Sequence, residues 1–384
     1  MHRDQRFQVL DSFRGLCALF VVVYHIHATN SVAELAFFRG SSVFVEFFFV
    51  LSGFVLAHGY AFRENLSFGP FLCARFFRLY PLHLFMLLVF VCLELGKWGA
   101  TQYLGISFNN GAFTNDYDPE ELLPNLMLVH AWTPYTNPLS FNTPSWSVSI
   151  EFYMYLLLYL SLLATDRFRY LMWGSVPALM FFLMLNDSDL LVSPVMRGLS
   201  GFFGGAICYL VYRAVSSRLL LSKWRVSVLE ISLIALVIWI VPADVAHRSV
   251  LATIVFYLVV FCFALEGGYL STLFRHRVLQ FLGRHSYSIY LTHAAVIYVF
   301  TSVFLVLQKL YGWQLMSTVD GVRFFDSGSI FVNNTAVILL LGTVLICSSW
   351  TYRHIEQKGQ VFGKRWLSAL SKETAGNRVI VRDA

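Results

Sequence analysis

Arg14 and His25 stand eleven residues apart in the run "LDSFRGLCALFVVVYHIH", residues 10–27. On a helix of 3.6 residues per turn, eleven steps return to within about 20° of the starting direction and climb roughly 16 Å. A guanidinium and an imidazole therefore share one face of an apolar segment, while His27 points about 200° away from His25. An imidazole with a free ring nitrogen is a general base or nucleophile near neutral pH. The plainer readings are a snorkelling arginine and a histidine that bridges two helices.

Four other stretches carry candidate chemistry. "NTPSWSVSIEFYMY" places Ser147 and Glu151 four apart, on one helical face. Counted from the start of its segment, Glu151 lies roughly 12 Å deep, and His25 roughly 18 Å from the opposite side. In an apolar core about 30 Å thick the two sit at one level, so Glu151 is expected to orient His25 and stabilise its protonated form. A structural ion pair is the alternative. Arg75 and Arg78 in "CARFFRLYPLHL" are three apart, ahead of a span whose first turn holds Pro81. Two such guanidiniums grip phosphate, or simply anchor the chain at the inner surface. In "FVEFFFVLSGFVL", Glu46 lies near the outer face and Gly53 permits close helix approach. In "LGRHSYSIYLTH", Ser286, Tyr290 and His293 form one polar stripe. Glu46, Ser147, Tyr290 and His293 are the expected cavity-lining set; stitching helices together is the other role open to such residues.

The elements that must hold these groups are membrane helices. The chain is 57% apolar and 13% charged, with 37 phenylalanines, whereas soluble proteins carry about 25% charged residues. Ten apolar segments, near 13–29, 42–62, 79–95, 143–164, 170–186, 192–212, 226–242, 249–266, 286–308 and 330–352, are long enough, or nearly so, to cross a bilayer. With the N-terminus inside, the outer loops keep only Arg39, Lys97, Arg248, Lys309 and Arg323 of the 28 lysines and arginines, and Arg197 lies within a span. That asymmetry follows the positive-inside rule and puts both termini in the cytoplasm. It also explains the net charge of +6 without a nucleic-acid partner. The six cysteines form no CxxC pair and read as packing residues, so no metal site is expected. A cleaved signal peptide is the rival reading of the first span, opposed by the cost of Arg14 and His25 within it. In the loop from Lys97 to Asn142, the apolar piece Leu122–Trp132 is expected as a re-entrant or interfacial helix. Residues 1–358 form the membrane domain. Residues 359–384 are a polar, basic cytoplasmic tail, on the inner leaflet or disordered.

Together these motifs resemble the membrane acyltransferase type 3 family, which includes O-acetyltransferases of bacterial surface polysaccharides. The resemblance runs from about residue 8 to 356. It rests on Arg14 with His25, on Arg75, Arg78, Tyr80 and Pro81, and on Phe48 to Phe54. It rests also on Trp146, Ser147 and Glu151, and on Ser286, Tyr287, Tyr290, Leu291 and His293. Two positions depart from the family pattern: Phe44-Val45-Glu46 replaces a Gly-Val-Asp, and Lys358 stands where a proline is usual. The resemblance implies an all-α bundle of about ten spans in a bacterial inner (plasma) membrane, as a stand-alone member without a fused soluble domain. It implies no tightly bound cofactor. Cytoplasmic acyl-CoA, most often acetyl-CoA, is the implied co-substrate, and an envelope glycan or lipid-linked sugar the acceptor. His25 with Arg14 and Glu151 is then the catalytic set, and Arg75 with Arg78 the donor-phosphate grip. A transporter or flippase without chemistry is the competing class; against it, the sequence shows no paired halves with matching broken helices.

Overall fold

Each of the ten apolar segments folds as an α-helix in the computed structural model, which describes residues 6–380 except 65, 107, 109, 219–221 and 320–321. They are α1 (Gln8–His25), α2 (Phe44–Tyr60), α3 (Phe68–Leu104), α4 (Ser145–Leu162), α5 (Asp166–Leu185), α6 (Ser193–Val215), α7 (Lys223–Ile240), α8 (Arg248–Ala264), α9 (Arg277–Tyr311) and α10 (Ile330–Thr351). Helices α2, α3, α5, α6, α9 and α10 are long and apolar enough to cross a membrane, and α8 is apolar but shorter. Polar residues dilute α1 and α4: Asp11 and Arg14 in one, four serines and Glu151 in the other. Both turn those groups toward protein, as intramembrane polar residues must. The molecule is an all-α membrane bundle.

Glycine decides which helices touch most closely. A methyl group at Gly15 would overlap the Gly283 backbone, and one at Gly283 would overlap Asp11. Without those Cβ atoms α1 and α9 lie backbone to backbone, and this is the most extensive helix pairing in the fold. Gly53 on α2 likewise abuts the Phe202 backbone of α6, and Gly205 abuts Val50. Beside that contact, fully buried Glu46 receives Arg197 Nε at 2.9 Å and Nη2 at 3.0 Å, and Ser249 Oγ at 2.5 Å. The Arg197 guanidinium also lies 4.7 Å over the Trp146 ring. Glu46 therefore ties α2 to α6 and α8. It lines none of the cavities described below, contrary to the expectation from sequence.

Three elements differ from expectation. Helix α3 begins at Phe68, so Arg75 and Arg78 lie inside a 37-residue helix instead of ahead of it, and Pro81 lies in its interior instead of its first turn. Pro81 deprives the Phe77 carbonyl of its helical donor, and this weak point is covered from outside. Helix α10 continues through a π turn, Tyr352–Glu356, into α11 (Gln357–Ile380), whose Gly359 packs on the Pro81 ring and Gly363 on the Phe77 ring. Phe362 and Trp366 flank the same ring. Of the segment beyond 358, the described residues, 359–380, are thus helical and docked on α3 at their start. Second, the helix expected over Leu122–Trp132 is only Leu122–Leu126. Its loop does dip inward: the Leu126 carbonyl accepts from Tyr80 at 3.1 Å, and His83 bonds the Asn125 carbonyl at 2.9 Å. Third, the loop after α9 holds a hairpin, β1 (Met316–Val319) and β2 (Val322–Phe325), with Met316 opposite Phe325. It is pinned to the end of α1, because Phe325 N–H donates to the His27 carbonyl and Thr29 N–H to the Phe325 carbonyl, both at 3.0 Å.

Candidate active site

Two cavities stack along α1 and α9. The inner one, about 140 Å³, is lined by Arg14, Ser52, Arg75, Arg78, Ser147, Glu151, Tyr155, Ser286, Tyr287 and Tyr290, with Phe48 and Leu51 among its apolar walls. The outer one, about 220 Å³, is lined by His25, His27, Ile297, Phe300, Leu340 and the hairpin residues Met316, Arg323 and Phe325. They share no lining residue. Tyr290 links the inner cavity to the neighbour of His25: its hydroxyl accepts from Ser147 Oγ at 3.0 Å, and its ring lies 5.9 Å from that of His293, which itself lines neither cavity.

The three inner arginines are not equivalent. Arg14 donates to Asp11 at 2.9 Å and to Ser286 Oγ at 2.9 Å. Arg78 pairs with fully buried Glu356, which also accepts from Ser288 at 2.8 Å. Among the described residues Arg75 pairs with no carboxylate. It lies between the rings of Tyr60 and Tyr155, donates from Nη2 to Tyr60 Oη at 3.2 Å, and leaves a buried Nε without an acceptor. A desolvated guanidinium with an open donor is a ready seat for an anion. Sequence gave Arg75 and Arg78 one role; the fold separates them, because Glu356 arrives from the π turn more than 270 residues later.

Glu151 does not meet His25. Its Oε1 accepts from Ser52 Oγ at 2.6 Å and from Tyr155 Oη at 2.5 Å, both in the inner cavity. The depth count failed because α4 does not start at the membrane surface. Asn142, just before it, donates to the Leu291 carbonyl in the middle of α9 at 3.0 Å, so the helix begins beneath the folded loop. Glu151 is therefore sunk one layer too far to reach the imidazole.

The partner of His25 is His293. His25 Nδ1 lies 2.8 Å from the Val21 carbonyl and 3.2 Å from His293 Nε2. A carbonyl only accepts, so Nδ1 carries the proton and Nε2 keeps a free lone pair. His293 Nδ1 in turn lies 3.3 Å from the Ile289 carbonyl, which leaves its Nε2 as an acceptor toward His25. Arg39 fixes the end of α1 that presents this ring. Its Nη2 donates to the Val23 and Ile26 carbonyls at 2.9 and 2.8 Å, and its Nη1 donates to His27 Nδ1 at 2.8 Å. It thereby satisfies carbonyls that every helix C-terminus leaves open. Sequence reading marked Arg39 only as an outer-loop charge. Its sole signal was a basic residue in the short connection between two apolar spans.

Of the expected site residues, then, Arg14, Arg75, Arg78, Ser147, Glu151 and Tyr290 converge on the inner cavity. His25 lines the outer one, and His293 supports it from the side. Arg323 enters the outer cavity unannounced. Its side chain has no hydrogen-bond or ion-pair partner among the described residues, and burial holds its pKa below the ordinary arginine value.

A family profile described as "Acyltransferase domain" matches residues 7–353. Among curated proteins, "Protein 2 in picA locus" of Rhizobium radiobacter is 35% identical over 163 residues, which are 38% of this chain and 78% of that protein. "Acyltransferase MdmB" of Streptomyces mycarofaciens is 33% identical over 162 residues, 40% of this chain and 38% of that protein. No solved structure matches the chain.

Proposed function

The chain belongs to this acyltransferase family and is a membrane O-acyltransferase, and from that membership we propose that it moves an acyl group, acetyl first among candidates, from cytoplasmic acyl-CoA to a hydroxyl of an envelope glycan or lipid-linked sugar. The membrane is then a bacterial inner (plasma) membrane, with the arginine-rich loops in the cytoplasm. The observation that carries this reading is a histidine whose Nδ1 is held and whose Nε2 is free, one residue layer from a cavity with an uncompensated arginine.

Arg75 receives a donor phosphate at the inner end, and Arg14 and Arg78, already paired, shape the passage. The thioester advances past Ser52 and Glu151 and reaches the His25 level when the Tyr290 side chain moves aside. Because His25 lines the outer cavity and not the inner one, it meets the acceptor hydroxyl first. We read it as a general base in preference to an acyl carrier. Nε2 takes the hydroxyl proton, the oxygen attacks the thioester carbonyl carbon, and the carbon–sulfur bond breaks. The imidazolium then returns the proton to the departing CoA thiolate, so charge and atoms balance. His293 Nε2, facing His25 Nδ1–H, spreads the developing positive charge.

Transfer of label from acetyl-CoA to a glycan acceptor by the purified protein in nanodiscs tests this. His25→Ala should lower transfer by about 10³-fold, with thermal stability and donor binding kept. Full activity of that variant, or no CoA release under any acceptor, would end the reading.

A further inference from the structure

The outer cavity borders a second one sideways. Phe300 and Leu340 line both it and an apolar groove of about 720 Å³ between α3, α9 and α10. Val299, Val303, Leu339 and Ile346 along this groove are exposed on the face that meets lipid chains. Among the described residues that line the outer cavity, Arg323 on β2 is the one arginine or lysine. Other arginines toward this end have their partners: Arg39 caps α1, Arg197 holds Glu46, and Arg248 donates to the Val241 carbonyl at 3.1 Å. The Arg323 side chain has none among the described residues. The guanidinium is half-buried beside apolar walls, so an anion there would compensate its partial desolvation, and it is carried on the hairpin that roofs the cavity of His25.

We propose that the acceptor is an anionic amphiphile that enters from the bilayer: its hydrocarbon tail lies in the groove, its carboxylate or phosphate pairs with Arg323, and its hydroxyl faces His25 Nε2. The proposal rests on the acyl-transfer reading and narrows its acceptor class. Hydrocarbon gains little by exchanging lipid for a protein groove, since both are equally apolar. The groove's contribution is positional. It converts a search in three dimensions into one along a membrane surface, raising the effective acceptor concentration at the site. Arg323 supplies the discrimination, because a charge-assisted pair in a partly buried site is worth more than a neutral hydrogen bond.

The experiment measures binding by native mass spectrometry from nanodiscs, independent of turnover. The probes are dodecyl glucuronide, dodecyl phosphate, neutral dodecyl glucoside and tailless methyl glucuronide. The glucuronide and phosphate arms separate the two anion sources. Arg323→Ala should weaken both tailed anions at least about tenfold and leave dodecyl glucoside unchanged, with Arg323→Lys in between. Thr343→Trp, which fills the exposed groove, should weaken every tailed probe while bulk partitioning stays the same, and should not affect methyl glucuronide. Equal weakening of charged and neutral probes by Arg323→Ala, or tight binding of tailed probes by Thr343→Trp, overturns the proposal. Label transfer from acetyl-CoA is then read separately. Binding that follows charge and tail without any transfer sinks the acyl-transfer reading and leaves the amphiphile site standing. Transfer to methyl glucuronide as fast as to dodecyl glucuronide sinks the amphiphile site and leaves acyl transfer standing.

Discussion

The inner and outer cavities are built on opposite plans. The inner one is walled by helices alone and dense with charge, most of it already neutralised: Arg14 by Asp11, Arg78 by Glu356. The outer one is mostly apolar, roofed by a hairpin, and holds one unpaired arginine and the histidine with a free nitrogen. In each, one cation is left open while its neighbours are spent on structure. The difference teaches how to sort arginines in a membrane bundle. A saturated guanidinium holds helices together, and an unsaturated one waits for something that is not part of the chain. Buried Glu46 with Arg197 is the extreme of the saturated kind, since all its capacity goes to α2, α6 and α8.

Three experiments press on that division, in falling order of effect. Glu46→Ala should cost on the order of 3–5 kcal/mol of stability, because it strands a buried guanidinium. Thermal melting in detergent reads this, and a variant melting with the wild type would remove Glu46 from the saturated class. Arg75→Ala should raise the KM for acyl-CoA about 10- to 100-fold with little loss of stability. Arg78→Ala and Glu356→Ala should do the reverse, melting early with a smaller change in KM. Equal effects at Arg75 and Arg78 would erase the distinction between open and spent charges. The smallest effect belongs to His293, which acts through His25. His293→Ala should lower kcat about tenfold without changing either KM, as expected when one hydrogen bond to the base is lost. His293→Gln, which keeps an acceptor at similar reach, should recover most of it. Unchanged kcat in His293→Ala would make the 3.2 Å contact incidental.

Much of this site was legible in one dimension because helical periodicity is rigid. Eleven residues on a helix leave little freedom, so Arg14 and His25 do share a face, and Gly53 does mark a close helix contact. Ser147 and Tyr290, four- and three-residue neighbours of other polar groups on their helices, line the inner cavity. Glu151 was misassigned because depth was counted from a helix start assumed to lie at the membrane surface. A loop that folds back into the bundle breaks that assumption and leaves no local signature. The hairpin was missed although Asp320-Gly321 between Val319 and Val322 is a recognisable two-residue turn signal. Hydropathy dominated the reading of every segment around it.

By itself the sequence determined the all-helical membrane bundle, the segments that form it, and which polar residues sit among apolar ones. Those follow from composition and local period, since a bilayer leaves the backbone few choices. Only the tertiary structure decided which polar group faces which. Glu356 neutralises Arg78 and not Arg75, His293 and not Glu151 stands beside His25, and Arg323 is left open over the outer cavity. Each pairing joins residues far apart in the chain, and its energy depends on a few ångströms of helix depth and rotation that no local pattern records.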